Sequence, residues 1–144
     1  MSDITHKVLI NGSIENVYNA VATVDGLKGW WTEHVDGESA EGSKVSFYFP
    51  ETGPSMEVLE LFPSEFIKWK CVDGIDEWKD TIITFEIEVK DGMTELLFAQ
   101  SGWADETSFF AHCNTKWAVF MVSLKEYVES GKGRPFPNDI NIDK

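Results

Sequence analysis

Apolar and polar residues recur along this chain with two periods, and the place where one gives way to the other divides it. From Ile4 to Ile10, the positions Ile4, His6, Val8 and Ile10 alternate with Thr5, Lys7 and Leu9, which predicts a first strand. Asn11-Gly12 breaks it. Ser13 is placed to cap a short helix whose Ile14, Val17, Tyr18 and Val21 fall on or near one face, with Val24 beside them. Asp25-Gly26 predicts a turn, and Leu27 to Thr32 a second short helix ending in Trp30-Trp31. Adjacent tryptophans cannot both point fully inward from one helical turn, so one is expected at a cavity or its mouth.

The period then stays near two. A weak strand is expected around His34 to Glu38, a turn-rich stretch over Gly37 to Ser43, and a clear strand at Val45, Phe47 and Phe49. Pro50 to Pro54 reads as a hairpin loop. Met56 to Phe62 is a further strand with two partly apolar faces, which leaves open whether Met56, Val58 and Glu60 or Leu59 and Leu61 point inward. After a turn at Pro63-Ser64, Ile67, Trp69 and Cys71 alternate with lysines and are expected inside. Asp73 to Asp80 is an acidic loop holding Trp78. In Thr81 to Val89 the inward set is Ile83, Phe85, Ile87 and Val89. Asp91-Gly92 is a two-residue hairpin signal. In Thr94 to Ser101, Leu96, Phe98 and Gln100 share one face.

From about Thr107 to Ser130 the period becomes helical. Phe110, Cys113, Trp117, Phe120, Met121, Leu124 and Val128 form one stripe, and Lys116, Ser123, Lys125, Glu126 and Glu129 lie off it. Residues Asp105 to Ser108 supply a cap and negative charge at its start, and Gly131 and Pro135 end it. The tail after Gly133 is polar and expected to be loosely held. The order is strand, two short helices, a run of strands on short turns, and one long helix. A curved antiparallel sheet wrapped around the C-terminal helix buries all of these faces in one core, so the expected class is α+β and a single domain over 1–144.

Composition changes this picture in two ways. Six Trp and ten Phe in 144 residues hint at a large aromatic-lined interior. A net charge of −13 argues against nucleic acid and anionic membrane surfaces, since both repel an acidic protein. No apolar run reaches the roughly twenty residues of a membrane span, so no membrane insertion is expected. Met1 to Lys7 lacks the charged-then-apolar order of a secretory signal, and a cytoplasmic location is expected. Cys71 and Cys113 make no metal spacing and are expected as free thiols.

Catalytic and metal chemistry finds little support. His34, Asp36 and Glu38 alternate as strand neighbours, but ligands on one flexible stretch make a poor metal site. Glu57 and Glu60 fall on opposite faces of a strand. His6 has no visible partner, and His112 is placed on the helix flank, away from the stripe. Asp73, Asp76, Glu77 and Asp80 form a solvated loop or the rim of a pocket. No Ser/His/Asp order or phosphate loop occurs, and no metal or cofactor is expected. Trp30, Trp31, Phe47, Phe49, Trp69, Trp78, Phe85, Phe98, Trp103, Phe110 and Trp117, with Cys113 and Met121 on the helix, could line a ligand pocket or simply fill a core. Gln100 is the inward polar group able to orient a ligand.

Several segments resemble one known family. Ser13-Ile-Glu-Asn-Val-Tyr-Asn-Ala-Val through Leu27-Lys-Gly-Trp-Trp31 is similar to the opening of the START-like, or SRPBCC, superfamily. Met56-Glu-Val-Leu-Glu-Leu-Phe-Pro63 followed by Phe66-Ile-Lys-Trp69 resembles its branch named for the activator of heat-shock-protein-90 ATPase. Phe98-Ala-Gln-Ser-Gly-Trp103 and Leu124-Lys-Glu-Tyr-Val-Glu-Ser-Gly-Lys-Gly133 resemble that branch's last strand and helix end. The resemblance implies a helix-grip, Bet v 1-like fold and a cavity for a small hydrophobic or lipid-like ligand between sheet and helix. It departs at Gln100, where many relatives carry His. A cyclase or dehydratase using the same cavity and a chaperone-linked interaction module are the rival expectations, and the chain is expected as monomer or homodimer.

Overall fold

The structure is a computed structural model and describes residues 1–50 and 52–143. Glu51, inside the hairpin loop expected at Pro50 to Pro54, and Lys144, at the end of the tail, lie outside the described residues. The elements are β1 (Ser2–Ile10), α1 (Ile14–Ala22), α2 (Val24–Trp30), β2 (Val35–Gly37), β3 (Lys44–Phe47), β4 (Ser55–Phe62), β5 (Phe66–Asp73), a 3-10 turn (Asp76–Trp78), β6 (Ile82–Lys90), β7 (Met93–Trp103) and α3 (Ser108–Ser130).

The strands form one seven-stranded sheet in the order β1-β7-β6-β5-β4-β3-β2, antiparallel throughout. From β2 to β7 each strand pairs with its neighbour in sequence, as short turns require. The exception is β1, which pairs with β7, placing Ile4 opposite Gln100 and Ile10 opposite Thr94. The chain must therefore travel from one edge of the sheet to the other between β1 and β2. Helices α1 and α2 make that crossing, with α1 lying against β5, β6 and β7. The sheet curves around α3, which gives the helix-grip architecture.

Local signals act as their chemistry dictates. Ser13 Oγ accepts the Asn16 N–H at 3.1 Å and caps α1. Asp91 and Gly92 both take positive φ, 52° and 79°, as a tight two-residue hairpin needs. Thr107 Oγ1 accepts the Phe110 N–H at 3.2 Å, and Gly131 closes α3 in the left-handed region at φ 84°.

Several expectations are corrected. Asp25-Gly26 is no turn: Thr23 caps α2, which includes both residues and ends at Trp30 rather than Thr32. Glycine is needed at 26 because a Cβ there would strike the backbone of Asn19 and Ala20, so its role is close helix approach. Trp30 and Trp31 both point inward and are buried, although Trp31 is also among the residues that line a cavity. Trp30 donates to the Ala20 carbonyl at 2.8 Å and meets Phe85 edge-on, while Trp31 packs on Phe47 and Trp117. The end of α2 is enclosed from more than one side.

Strand β4 resolves its two-faced pattern with a bulge. Its register passes from Val58 opposite Trp69 to Glu60 opposite Lys68, leaving Leu59 as the extra residue. Met56 and Val58 are buried before the bulge, and Leu61 packs on the core after it, so each candidate set contributes. Strand β3 ends at Phe47, and Phe49 joins only an isolated bridge to Thr52. Val89 is 64% exposed although it was expected inside. Its neighbour Thr94 is covered by the Gly12 loop through a 2.7 Å hydrogen bond, but that cover does not extend over Val89.

The tail is held down. Phe136 exchanges backbone bonds with Trp31 and Glu33 and packs against Phe49, and Arg134 N–H donates to Ser123 Oγ at 2.7 Å. Ser123, off the predicted stripe, is buried for this reason and also donates to the Trp30 carbonyl at 2.8 Å.

Candidate ligand pocket

The space directly between sheet and α3 is packed with rings. Phe98 and Trp117 have centroids 4.3 Å apart, Trp31 lies 4.3 Å from Phe47 and 4.9 Å from Trp117, and Trp69 meets Phe85 edge-on at 5.2 Å. Such distances are those of core aromatic pairs. Gln100, fully buried, belongs to this packing. Its carbonyl accepts the Trp117 indole N–H at 2.9 Å and its amide donates to Thr81 Oγ1 at 3.1 Å. Among the described residues, the buried indole N–H groups of Trp69 and Trp103 have no hydrogen-bond partner.

Open space lies at one end of the grip, beside the first half of α3. There a cavity of about 320 Å³ is lined by Trp31, Phe49, Thr52, Gly74, Ile75, Trp78, Phe109, His112, Cys113, Lys116, Trp117 and Phe120. Three indoles form one wall. Trp78 stacks on Trp117 at 5.8 Å and on Trp31 at 6.4 Å. Phe49 and Phe120 flank one side, 6.3 Å apart, and Phe109 stacks on the His112 ring at 6.1 Å. Two loops close the rim. Thr52 Oγ1 donates to the Gly74 carbonyl at 2.9 Å, and Gly74 has φ 102° with the Gly53 backbone where a Cβ would stand. That contact ties the β3–β4 connection to the β5–β6 connection.

Few polar groups border this space. Cys113 Sγ accepts the Trp78 indole N–H at 3.4 Å. Burial pushes its thiol up to about 11, with the nearby Glu77 adding to the shift and the Trp78 bond opposing it. A thiol held protonated in this way is a poor nucleophile. The Lys116 ammonium pairs with Asp139, donates to the Ile140 carbonyl at 3.1 Å and stands 5.3 Å over the Phe120 ring. His112 Nδ1 lies 3.4 Å from Asp143 Oδ1. Both acids belong to the C-terminal tail.

Of the residues singled out from sequence, the fold brings Trp31, Phe49, Trp78, Cys113 and Trp117 to the cavity. Trp30, Phe47, Trp69, Phe85, Phe98, Gln100, Trp103, Phe110 and Met121 are buried in the packed core instead. Sequence reasoning missed Thr52, Gly74, Ile75, Phe109, His112, Lys116 and Phe120 as lining residues. Phe109 and His112 border the stripe on the α3 helical wheel, which was the available signal. His112 is a rim residue as well as a flank residue. A second, wider groove of about 650 Å³ runs past Lys28, Glu33, His34, Asp36, Tyr48 and Phe136. It is the larger space, but charged and open. The aromatic cavity is the better small-molecule site, because apolar walls with few polar groups bury a ligand. Among the described residues, no cluster of His, Cys, Asp and Glu could hold a metal ion, and no helix is long and apolar enough to cross a membrane.

A seven-stranded antiparallel sheet gripping one long helix, with two short helices between its first two strands, defines a helix-grip domain of the START-like class. The chain belongs to the family described as Activator of Hsp90 ATPase homolog 1-like protein, whose model matches residues 11–129. The solution structure of the Aha1 dimer from Colwellia psychrerythraea is similar at 41% identity and a TM-score of 0.86, covering 92% of this chain and 100% of that one. A crystal structure from Staphylococcus saprophyticus shares the fold at 16% identity and a TM-score of 0.76, covering 92% of this chain and 95% of that one. One from Chromobacterium violaceum does so at 23% identity and 0.74, covering 90% and 99%. No curated protein matches the chain.

Proposed function

We propose that this protein binds a small hydrophobic molecule in the aromatic cavity at the end of the grip. The observation that carries the reading is the cavity itself, about 320 Å³ walled by three stacked indoles and three phenyl rings. Flat rings accommodate apolar ligands of varied outline, and the polar groups at the rim set orientation. Every tryptophan is buried, and three of them border the cavity, so a bound ligand must change tryptophan emission.

The experiment is a panel of apolar and aromatic compounds followed by thermal shift and tryptophan emission. Binding should raise the melting temperature and alter emission for part of the panel. Ile75→Trp places a large side chain into the cavity from a loop and should abolish both responses while the protein stays folded. A folded wild type that shows neither response across the panel would end this reading.

A homodimer is the second reading, favoured by the dimeric Colwellia relative at 41% identity. Sedimentation equilibrium should return twice the 16.3 kDa chain mass. A monomer mass at micromolar concentration refutes it.

A further inference from the structure

We propose that the ligand of this pocket is an aromatic carboxylic acid, and that its carboxylate takes the Lys116 ammonium in place of Asp139. The inference rests on the binding reading above and narrows it to a ligand class.

Two of the polar groups at the rim are already committed. The Thr52 hydroxyl is spent on the Gly74 carbonyl, and the Cys113 sulfur receives the Trp78 N–H. Both contacts are internal to the lining and hold the rim in shape. The remaining polar lining groups are Lys116 and His112, and among the described residues no carboxylate lines the cavity. A chain with a net charge of −13 has thus placed basic groups at the edge of its most apolar space.

Lys116 is also fixed in position. Its side chain is only 21% exposed, and its ammonium stands 5.3 Å over the Phe120 ring. Phe49 and Lys116 line the cavity and also a smaller groove of about 290 Å³ under the tail, bordered by Phe136, Asp139 and Asp143. The two spaces therefore adjoin at Phe49 and Lys116. The group that occupies the ammonium now is a carboxylate, that of Asp139, with Asp143 taking the equivalent place on His112. The tail thus presents to each basic group the chemistry a ligand acid would present. An ammonium bonded to a carboxylate gains a charge-assisted hydrogen bond that an alcohol cannot match. The flat indole wall favours a ring over a chain in the body of the ligand.

Isothermal titration with naphthalene-2-carboxylate and with the neutral naphthalene-2-methanol tests this on the full chain. The acid should bind roughly tenfold more tightly than the alcohol. Lys116→Met keeps an apolar stem and should erase that difference by weakening the acid. Asp139→Asn removes the competing carboxylate and should tighten the acid several-fold with no change for the alcohol. Equal binding of the two probes by the wild type overturns the acid inference while leaving the pocket reading intact. Binding of neither probe overturns the acid inference, and the broad panel then decides the pocket reading separately. Asp139→Asn stands as a test should Lys116→Met fail to fold, and an unchanged acid affinity in it refutes the exchange of carboxylates.

Discussion

At Trp117 one side chain joins the helix, the sheet and the pocket. It is 2% exposed, packs against Phe98, Trp31 and Trp78, and donates its indole N–H to Gln100. Trp117→Ala should destabilise by about 3–5 kcal/mol in urea unfolding, the range for emptying a buried aromatic site. Gln100→Leu should cost about 1–3 kcal/mol, because the Trp117 N–H is left buried without a partner. The cysteines make a third residue-scale prediction. Burial raises both thiols from the ordinary 9 to about 11, most of it by excluding water from the thiolate. An acid raised on folding stays neutral in the folded state while the unfolded chain already ionises. Its stabilising contribution is complete below pH 9 and is lost as pH rises through 11. At the middle of that window each thiol should cost about 1 kcal/mol of stability per pH unit. The slope should be shallower in Cys71→Ala/Cys113→Ala, measured against wild type over the same range.

Among the elements, the approach of α2 to α1 depends on one missing side chain. Gly26 faces the Asn19 and Ala20 backbone, which cannot move aside as a side chain could. Gly26→Ala should therefore destabilise by about 1–3 kcal/mol, although alanine is the better helix former. The reverse result, a gain in stability by denaturant titration, would show that the helices can separate at no cost. For α3, Thr107 Oγ1 satisfies the Phe110 N–H and also donates to Glu77 at 2.6 Å. Loss of such a cap typically costs about 1 kcal/mol, and Thr107→Ala also cuts the tie between α3 and the β5–β6 loop on the pocket rim.

Over the whole molecule, the tryptophans form one buried network rather than separate sites. Trp30, Trp31, Trp69, Trp78, Trp103 and Trp117 are all at most 6% exposed. Native emission should be blue-shifted and resistant to iodide, and should shift red in a single step on unfolding. Substantial quenching of native protein by iodide would contradict this burial. The tail completes the same network. Phe136 reaches Phe49, and Asp139 and Asp143 reach α3, so the tail packs beside the pocket end of the grip.

The amino-acid sequence by itself determines whatever depends on one-sided burial. Alternation along β5 and β7 and the three-to-four spacing of α3 report which face of each element meets the core, because a strand repeats every two residues and a helix every 3.6. Asp91-Gly92 was legible because its turn demands two residues that tolerate positive φ. Tertiary structure alone decided the rest. The β4 pattern stayed ambiguous because the bulge at Leu59 moves the inner face partway along the strand. Gly26 looked like a turn because a close helix approach and a turn favour the same residue. Phe47 and Phe49 obey the same alternation, so only ring packing separates the core residue from the pocket residue. Lys116 and His112 read as surface positions, since periodicity shows where a side chain points along its own element but not which loop or tail will cover it. The pocket is formed by that covering, from segments with no period of their own.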